Sequence, residues 1–342
     1  MRAEKTSSRS FVSLSFQLSL ILASLVLLSI IYNQRLNKFS NLDIMTPLQD
    51  YNPESFTQFG NFHTEILTGL AIEQYEVFDV INNNFVIAGT LWFLADPGVI
   101  DMATLGKFSF AQGSLLYKSE PAITLEKNKL LVQYRIRLQY SANLSYIYFP
   151  LDEHKIPIRL TNTLLTPQEA ILVSESRYFN VNASTQSFGW GILDKYIRFG
   201  YRKLSFDSAK NERANYDPCV EFIVDFKRTS YRYIISIIFP MLTFFYLSLF
   251  GFSATGSSRF YLPTVGLTAL ISFRFIIDRL SPTVGYFMLS DYLFFIFLAA
   301  IFIAFILLLL DDLSNGIKLL YRKTFIIVLH FMVIGLNIYF VL

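Results

Sequence analysis

The sequence predicts two unlike parts, an extracellular all-β, immunoglobulin-like sandwich followed by an α-helical transmembrane bundle of four helices. Three observations predict this. Only 16% of the 342 residues are charged and 53% are hydrophobic, against roughly 25% charged in an average soluble domain. Four long runs after residue 230 carry most of the apolar excess. Between residues 33 and 228 the pattern changes to short alternating runs bounded by turn residues, the mark of a half-buried antiparallel sheet.

The chain opens with Arg2, Lys5 and Arg9 ahead of an apolar run over 11–32. Residues 1–32 therefore read as a signal peptide or an N-terminal membrane anchor, and either one exports the β domain behind it. Residues 33–230 form that domain. Strands are expected at 77–80 and 85–93, joined by a turn at Asn82-Asn83-Asn84, because Asn tolerates the left-handed conformation and bonds its own backbone. Further strands are expected at 129–140, 154–160, 170–173, 191–201 and 219–226, at spacings suited to a sandwich, with 207–217 as a long exposed loop.

Residues 231–342 form the membrane domain, with helices at about 231–252, 260–280, 283–310 and 324–342. The second run holds Arg274 and the third Asp291; the first and fourth have no charge over 234–252 and 324–342. At a rise of about 1.5 Å per residue each can cross a hydrocarbon core of roughly 30 Å, and helices satisfy their own backbone in lipid. Pro263, lacking an N–H, is expected in the first turn of the second helix, which then begins near Leu262. Lys318, Arg322 and Lys323 place the last connection in the cytoplasm and the β domain outside. The chain thus reads as an integral protein of a plasma membrane, with the lipid bilayer as a partner.

The same composition excludes several classes. A net charge of +3 gives no basic mass for a nucleic-acid partner. The single cysteine, Cys219, excludes an intrachain disulfide, and with His63, His154 and His330 scattered no ordinary zinc site is expected. A phosphate loop, a nucleophile elbow, an H-E-x-x-H pair and a dinucleotide glycine signature are all missing, so neither an enzyme nor a cofactor is expected.

Positions Tyr261, Val265, Thr268, Ser272, Phe275 and Arg279 recur at spacings of three and four and so share one helical face. Thr264, Gly266, Thr268 and Ser272 on this helix are small or polar, which suits either a hydrated ion path or ordinary close helix packing. Arg274 and Asp291 are ionisable groups within apolar runs, functional by default, or a snorkelling pair near the interface.

Several motifs occur in an order similar to that of the pentameric ligand-gated ion channels, the Cys-loop receptor superfamily. Phe149-Pro150-Leu151-Asp152 matches the F-P-F-D-like motif, Phe226 to Tyr231 the basic segment before the first membrane helix, and Pro240 a proline within it. Arg259 opens the second helix, Pro282 and Tyr286 match its P-x-x-x-Y connection to the third, and Asp291 comes five residues later. The family's two loop-closing cysteines would fall at Ala142 and Ile156, so the chain resembles a prokaryotic-type member without them, in a bacterial inner membrane with its β domain in the periplasm or outside. The resemblance covers about residues 70–342.

It implies a homopentameric ligand-gated channel that passes inorganic ions through a pore lined by Tyr261, Val265, Thr268, Ser272, Phe275 and Arg279. It implies gating through Asn83, Phe149, Pro150, Asp152, Arg228, Pro282 and Tyr286, with Asp152 and Arg228 as an ion pair. A small extracellular ligand or protons would act at a site holding Trp92, Phe206 and Tyr216. Thr268 stands where many relatives carry a gate leucine, and Ser257 and Ser258 stand where cation channels carry glutamate. These departures keep two rivals open, a non-conducting receptor of the same fold and a secondary transporter using Arg274 and Asp291.

Overall fold

A computed structural model of the chain describes residues 12–39, 42–43, 45, 47–50, 64–126, 128–166, 168–182, 188–204, 215–313 and 319–342. The elements are α1 (Leu14–Asn37), β1 (Gln49–Asp50), β2 (Thr64–Asp79), β3 (Asn84–Ala95), the short α2 (Met102–Leu105), β4 (Ser109–Ala111), β5 (Gly113–Lys118), β6 (Ala122–Glu126) and β7 (Lys129–Tyr140). Next come β8 (Glu153–Thr161), β9 (Ala170–Val173), β10 (Phe179–Val181), β11 (Trp190–Leu204), β12 (Asn215–Arg228), α3 (Arg232–Leu249), α4 (Ser258–Leu280), α5 (Leu289–Leu313) and α6 (Leu319–Val341).

The chain divides into two units. One is helical and comprises residues 1–39, 146–152 and 230–342; the other is built of strands and comprises 40–145 and 153–229. Within the β unit, one sheet runs β1-β11-β12-β8-β4 and the other β10-β2-β3-β7-β5, with β6 on β7 and β9 on β2. Aromatic side chains join the two sheets: Phe78 of β2 lies 4.8 Å from Phe226 of β12, and Phe179 of β10 lies 5.2 Å from Phe222 of β12.

This overturns the expected fold class. The sequence predicts a β domain and then a four-helix bundle, yet the chain begins with a helix, α1, that packs against α6. Helices therefore flank the β region on both sides in sequence. Nor is that region an immunoglobulin-like sandwich: β2 pairs parallel with both β9 and β10, so the pairing is mixed rather than antiparallel throughout. Hydrophobic alternation reports which face of a strand is buried and carries no record of which way its neighbour runs, which is why the pattern misled.

Among the described residues, five helices are long and apolar enough to cross a membrane: 14–37, 232–252, 258–280, 289–313 and 321–341. In α4 the start is Ser258, not Leu262, so Pro263 sits in the second turn and takes away the N–H that would bond the Arg259 carbonyl. Helix α5 starts at Leu289, not Thr283, because Pro282 and Gly285 hold residues 281–288 in a non-helical connection.

Candidate pore and coupling site

Helix α4 has two faces. Arg259, Pro263, Gly266, Leu270, Phe273 and Ile277 are buried among neighbours that include α3 and α5. Gly266 is required there, since a Cβ would fall 2.0 Å from Ser248 Oγ and 3.0 Å from the Phe244 carbonyl. Phe273 meets the Phe244 ring edge-on at 5.9 Å. The opposite face is the stripe identified from spacing: Thr268, Ser272 and Arg279 are exposed, Val265 is half-buried, and Tyr261 and Phe275 are 67% and 72% exposed. Both large aromatics of this face are thus mostly exposed in the single chain. The Thr264 and Thr268 hydroxyls donate to the Phe260 and Thr264 carbonyls at 2.7 and 2.9 Å, so their free lone pairs remain as acceptors on an exposed face.

Charges fix both ends of α4. At its start, Arg259 pairs with Asp311 near the end of α5, and Arg322 at the start of α6 grips the same carboxylate through Nε and Nη2, each at 3.1 Å. Arg322 is therefore buried in an ion cluster within α6, not in the connection ahead of that helix where the sequence places it. At the other end Arg274 pairs with Asp291 and, at 2.9 Å, with Asp278 one turn on. Asp291 also accepts the Met288 N–H at 2.7 Å, the reach-back contact of a helix start. Arg274, Asp278 and Asp291 line part of a cavity of about 450 Å³ together with Pro282 and Tyr286.

Residues 146–152 are the site's other half. The first N–H groups of any helix lack intrahelical partners. Here the Ile147 and Phe149 carbonyls accept from the N–H groups of Leu289 and Ser290 at 2.7 and 3.0 Å, so the loop caps α5. The Tyr146 N–H donates to the Tyr286 hydroxyl at 2.9 Å. Phe149 is fully buried and meets Tyr233 of α3 at 5.9 Å; Pro150 and Asp152 are buried beside it in sequence.

Ala142 and the backbone next to Ile156 are held by side-chain hydrogen bonds. Asn83, with φ of 51° in the β2–β3 turn, donates to the Ala142 carbonyl at 2.7 Å and accepts the Ala142 N–H at 2.9 Å. Asp43 accepts the N–H groups of Ser145 and Lys155 at 2.6 and 2.5 Å, one on either side of the loop in sequence. A lone aspartate in a connecting segment gives no sequence signal of this kind.

The expected gating pair is divided between the units: Asp152 belongs to the helical one and Arg228 to the β one, where its guanidinium lies 4.4 Å over the Trp190 ring. Of the expected ligand aromatics, Trp92 on β3 packs edge-on against Tyr178 at 5.1 Å, and Tyr216 on β12 packs against a core of Ile171 and Tyr201. They lie on different sheets and have different neighbours. Phe206 lies outside the described residues, as does His63. A cation over aromatic rings occurs elsewhere: the Lys118 ammonium lies 4.4 Å from Phe108 and 4.8 Å from Tyr134. Burial against these rings, with Lys107 nearby, holds its pKa below the usual lysine value.

Near Asp43, Asp225 is buried with its Oδ1 4.0 Å from Lys155 Nζ. Burial raises its carboxyl to about 6; Lys155 opposes the shift, and Asp194 and Asp43 add to it. Arg159 Nε and Nη2 both grip Glu221 Oε1, at 2.6 and 2.5 Å, with the carboxylate fully buried. No protein-family model matches the chain, and a search of curated proteins returns no match.

Proposed function

We propose that the protein is a subunit of a homopentameric ligand-gated ion channel whose pore is lined by the outward face of α4. The observation that carries the reading is the division of α4 into a buried apolar face and an exposed face holding Thr268, Ser272 and Arg279. A helix surrounded only by lipid gains nothing from hydroxyls and a guanidinium there, whereas a ring of such helices places them around water.

Gating on this reading runs through the 146–152 loop. The loop leaves the β unit after Ser145, caps α5, bonds the α4–α5 connection through Tyr286, and returns to the β unit at Glu153. A ligand that binds one state of the β unit better than the other would move these bonded groups and bias the pore. The transporter rival loses support because Arg274 and Asp291 neutralise each other.

The test is the detergent-corrected mass by light scattering together with ion flux from proteoliposomes. Five chains of 39.5 kDa give about 200 kDa for a closed ring. A pentamer that passes ions on addition of a ligand or acid is the expected result. A monomer or dimer in several mild detergents overturns the reading, and a silent pentamer under a broad ligand panel favours the non-conducting receptor.

A further inference from the structure

We infer that α1 is a permanent fifth transmembrane helix of the folded protein and that Arg35 at its end is a positioning residue for the 146–152 loop. The first half stands by itself; the second rests on the channel reading.

Helix α1 is built inside out for an independent membrane segment. Its buried positions are Gln17, Ser24, Leu28, Ile31, Tyr32 and Arg35, whereas Leu14, Leu18, Leu22 and Val26 are exposed. Gln17, Ser24, Tyr32 and Arg35 are thus turned toward the protein beside Leu28 and Ile31, while Ser15, Ser19 and Ser29 share the outer face with the exposed apolar side chains. Three of the inward polar groups meet partners on other helices. Gln17 Nε2 donates to the Leu249 carbonyl at 3.1 Å, Ser24 and Tyr246 share a 2.8 Å hydroxyl contact, and Tyr32 donates to Asn337 Oδ1 at 2.6 Å. Ser253 donates to the Val12 carbonyl at 2.8 Å.

These contacts set direction. Phe16 lies under the Lys323 ammonium at 5.3 Å, and Lys38 Nζ donates to the Leu342 carbonyl at 3.0 Å, so α1 runs parallel to α6 and antiparallel to α3. Removing α1 would leave the buried Asn337 Oδ1 without the donor that Tyr32 gives it, and groups of this kind are costly to leave unmet away from water. A segment destined for cleavage needs only apolar length and has no use for matched polar partners on two other helices.

At the end of α1 the Arg35 guanidinium lies 3.7 Å over the Tyr148 ring, and its Nη1 donates to the Lys38 carbonyl at 2.8 Å. Tyr148 stands between Ile147 and Phe149, whose carbonyls cap α5. A cation stacked on that ring limits the positions the capping carbonyls can take. Arg35 is thus a fixed stop for the segment that joins the β unit to the start of α5.

Two measurements test this, and neither uses ion flux, so failure of the channel reading is scored separately. The first is the intact mass of the full chain, tagged at the C-terminus and purified from membranes. A mass that includes residues 12–37 is expected; one for a chain cut anywhere within or after residues 12–37, such as after residue 32, overturns the inference. The second is hydrogen exchange in Arg35→Ala and Arg35→Lys. With alanine, peptides covering 146–152 should exchange on the order of fivefold faster while α3 and α6 stay unchanged, and lysine should recover part of the protection. No change at 146–152 overturns the positioning role. Equal loosening of α3 and α6 also overturns it, by showing that Arg35 holds the bundle as a whole.

Discussion

The hydroxyl of Tyr286 accepts the backbone N–H of Tyr146 at 2.9 Å, bonding the α4–α5 connection to the first residue of the loop that caps α5. Tyr286→Phe keeps the ring and removes only this acceptor. The loss should be about 1 kcal/mol, the worth of one partly buried hydrogen bond. Hydrogen exchange at Tyr146 should rise roughly fivefold, and the ligand or proton dependence of flux should shift with no loss of assembled protein.

Asp43 holds two N–H groups, those of Ser145 and Lys155. Asp43→Ala leaves both donors without this acceptor, at a cost of about 1–3 kcal/mol for each that stays buried. Asp43→Asn retains one acceptor oxygen and should fall between alanine and the parent. Thermal unfolding of the three proteins, monitored by near-ultraviolet circular dichroism, should rank them in that order.

The fold class was not legible in the sequence, although single elements were, and the misses have identifiable causes. The hydroxyl-bearing stripe on α4 came from spacing, because a helix of that length has one period and one exposed face. Strand β2 was seen only near its end, since irregularities between Ile72 and Gln74 and between Tyr75 and Val77 break the alternation that would have revealed it. Strand β6 has every residue exposed and so has no apolar side to detect. The clasps made by Asp43 and Asn83 join residues far apart in the chain through single polar side chains, and no local pattern encodes them. Helix α1 was visible as an apolar run, but its partners on α3 and α6 were not.

Glu221 and Arg159 are a buried pair on adjacent strands, β12 and β8. Glu221→Leu strands the Arg159 charge and should cost about 3–5 kcal/mol. The double variant Arg159→Met with Glu221→Leu should regain most of that loss, because replacing both members of such a pair with apolar groups is often neutral. The check is the thermal midpoint of the single and double variants. Equal loss in both would show that Glu221 acts through another partner, such as Arg198 at 3.6 Å.

Asp225 gives a pH dependence of definite sign. Its folded pKa of about 6 lies above the ordinary 3.8, so the folded chain holds a proton that the unfolded chain has already released. The stability from this group is therefore complete below about pH 4 and declines as pH rises through about 6. Thermal midpoints between pH 4 and 7 should show this decline in the parent. Asp225→Asn, which cannot ionise, should flatten that part of the profile; an unchanged slope would assign it to another group.

The most direct test of the central claim is the reactivity of single cysteines on α4 toward a charged thiol reagent during flux. Cys219 is fully buried, so the parent protein should give little background. A pore lined by the outward face predicts that reagent blocks flux through Thr268→Cys and leaves Leu270→Cys, on the buried face, unmodified. Persistent flux through fully modified Thr268→Cys, or block through Leu270→Cys alone, would contradict the assignment of this face to the pore.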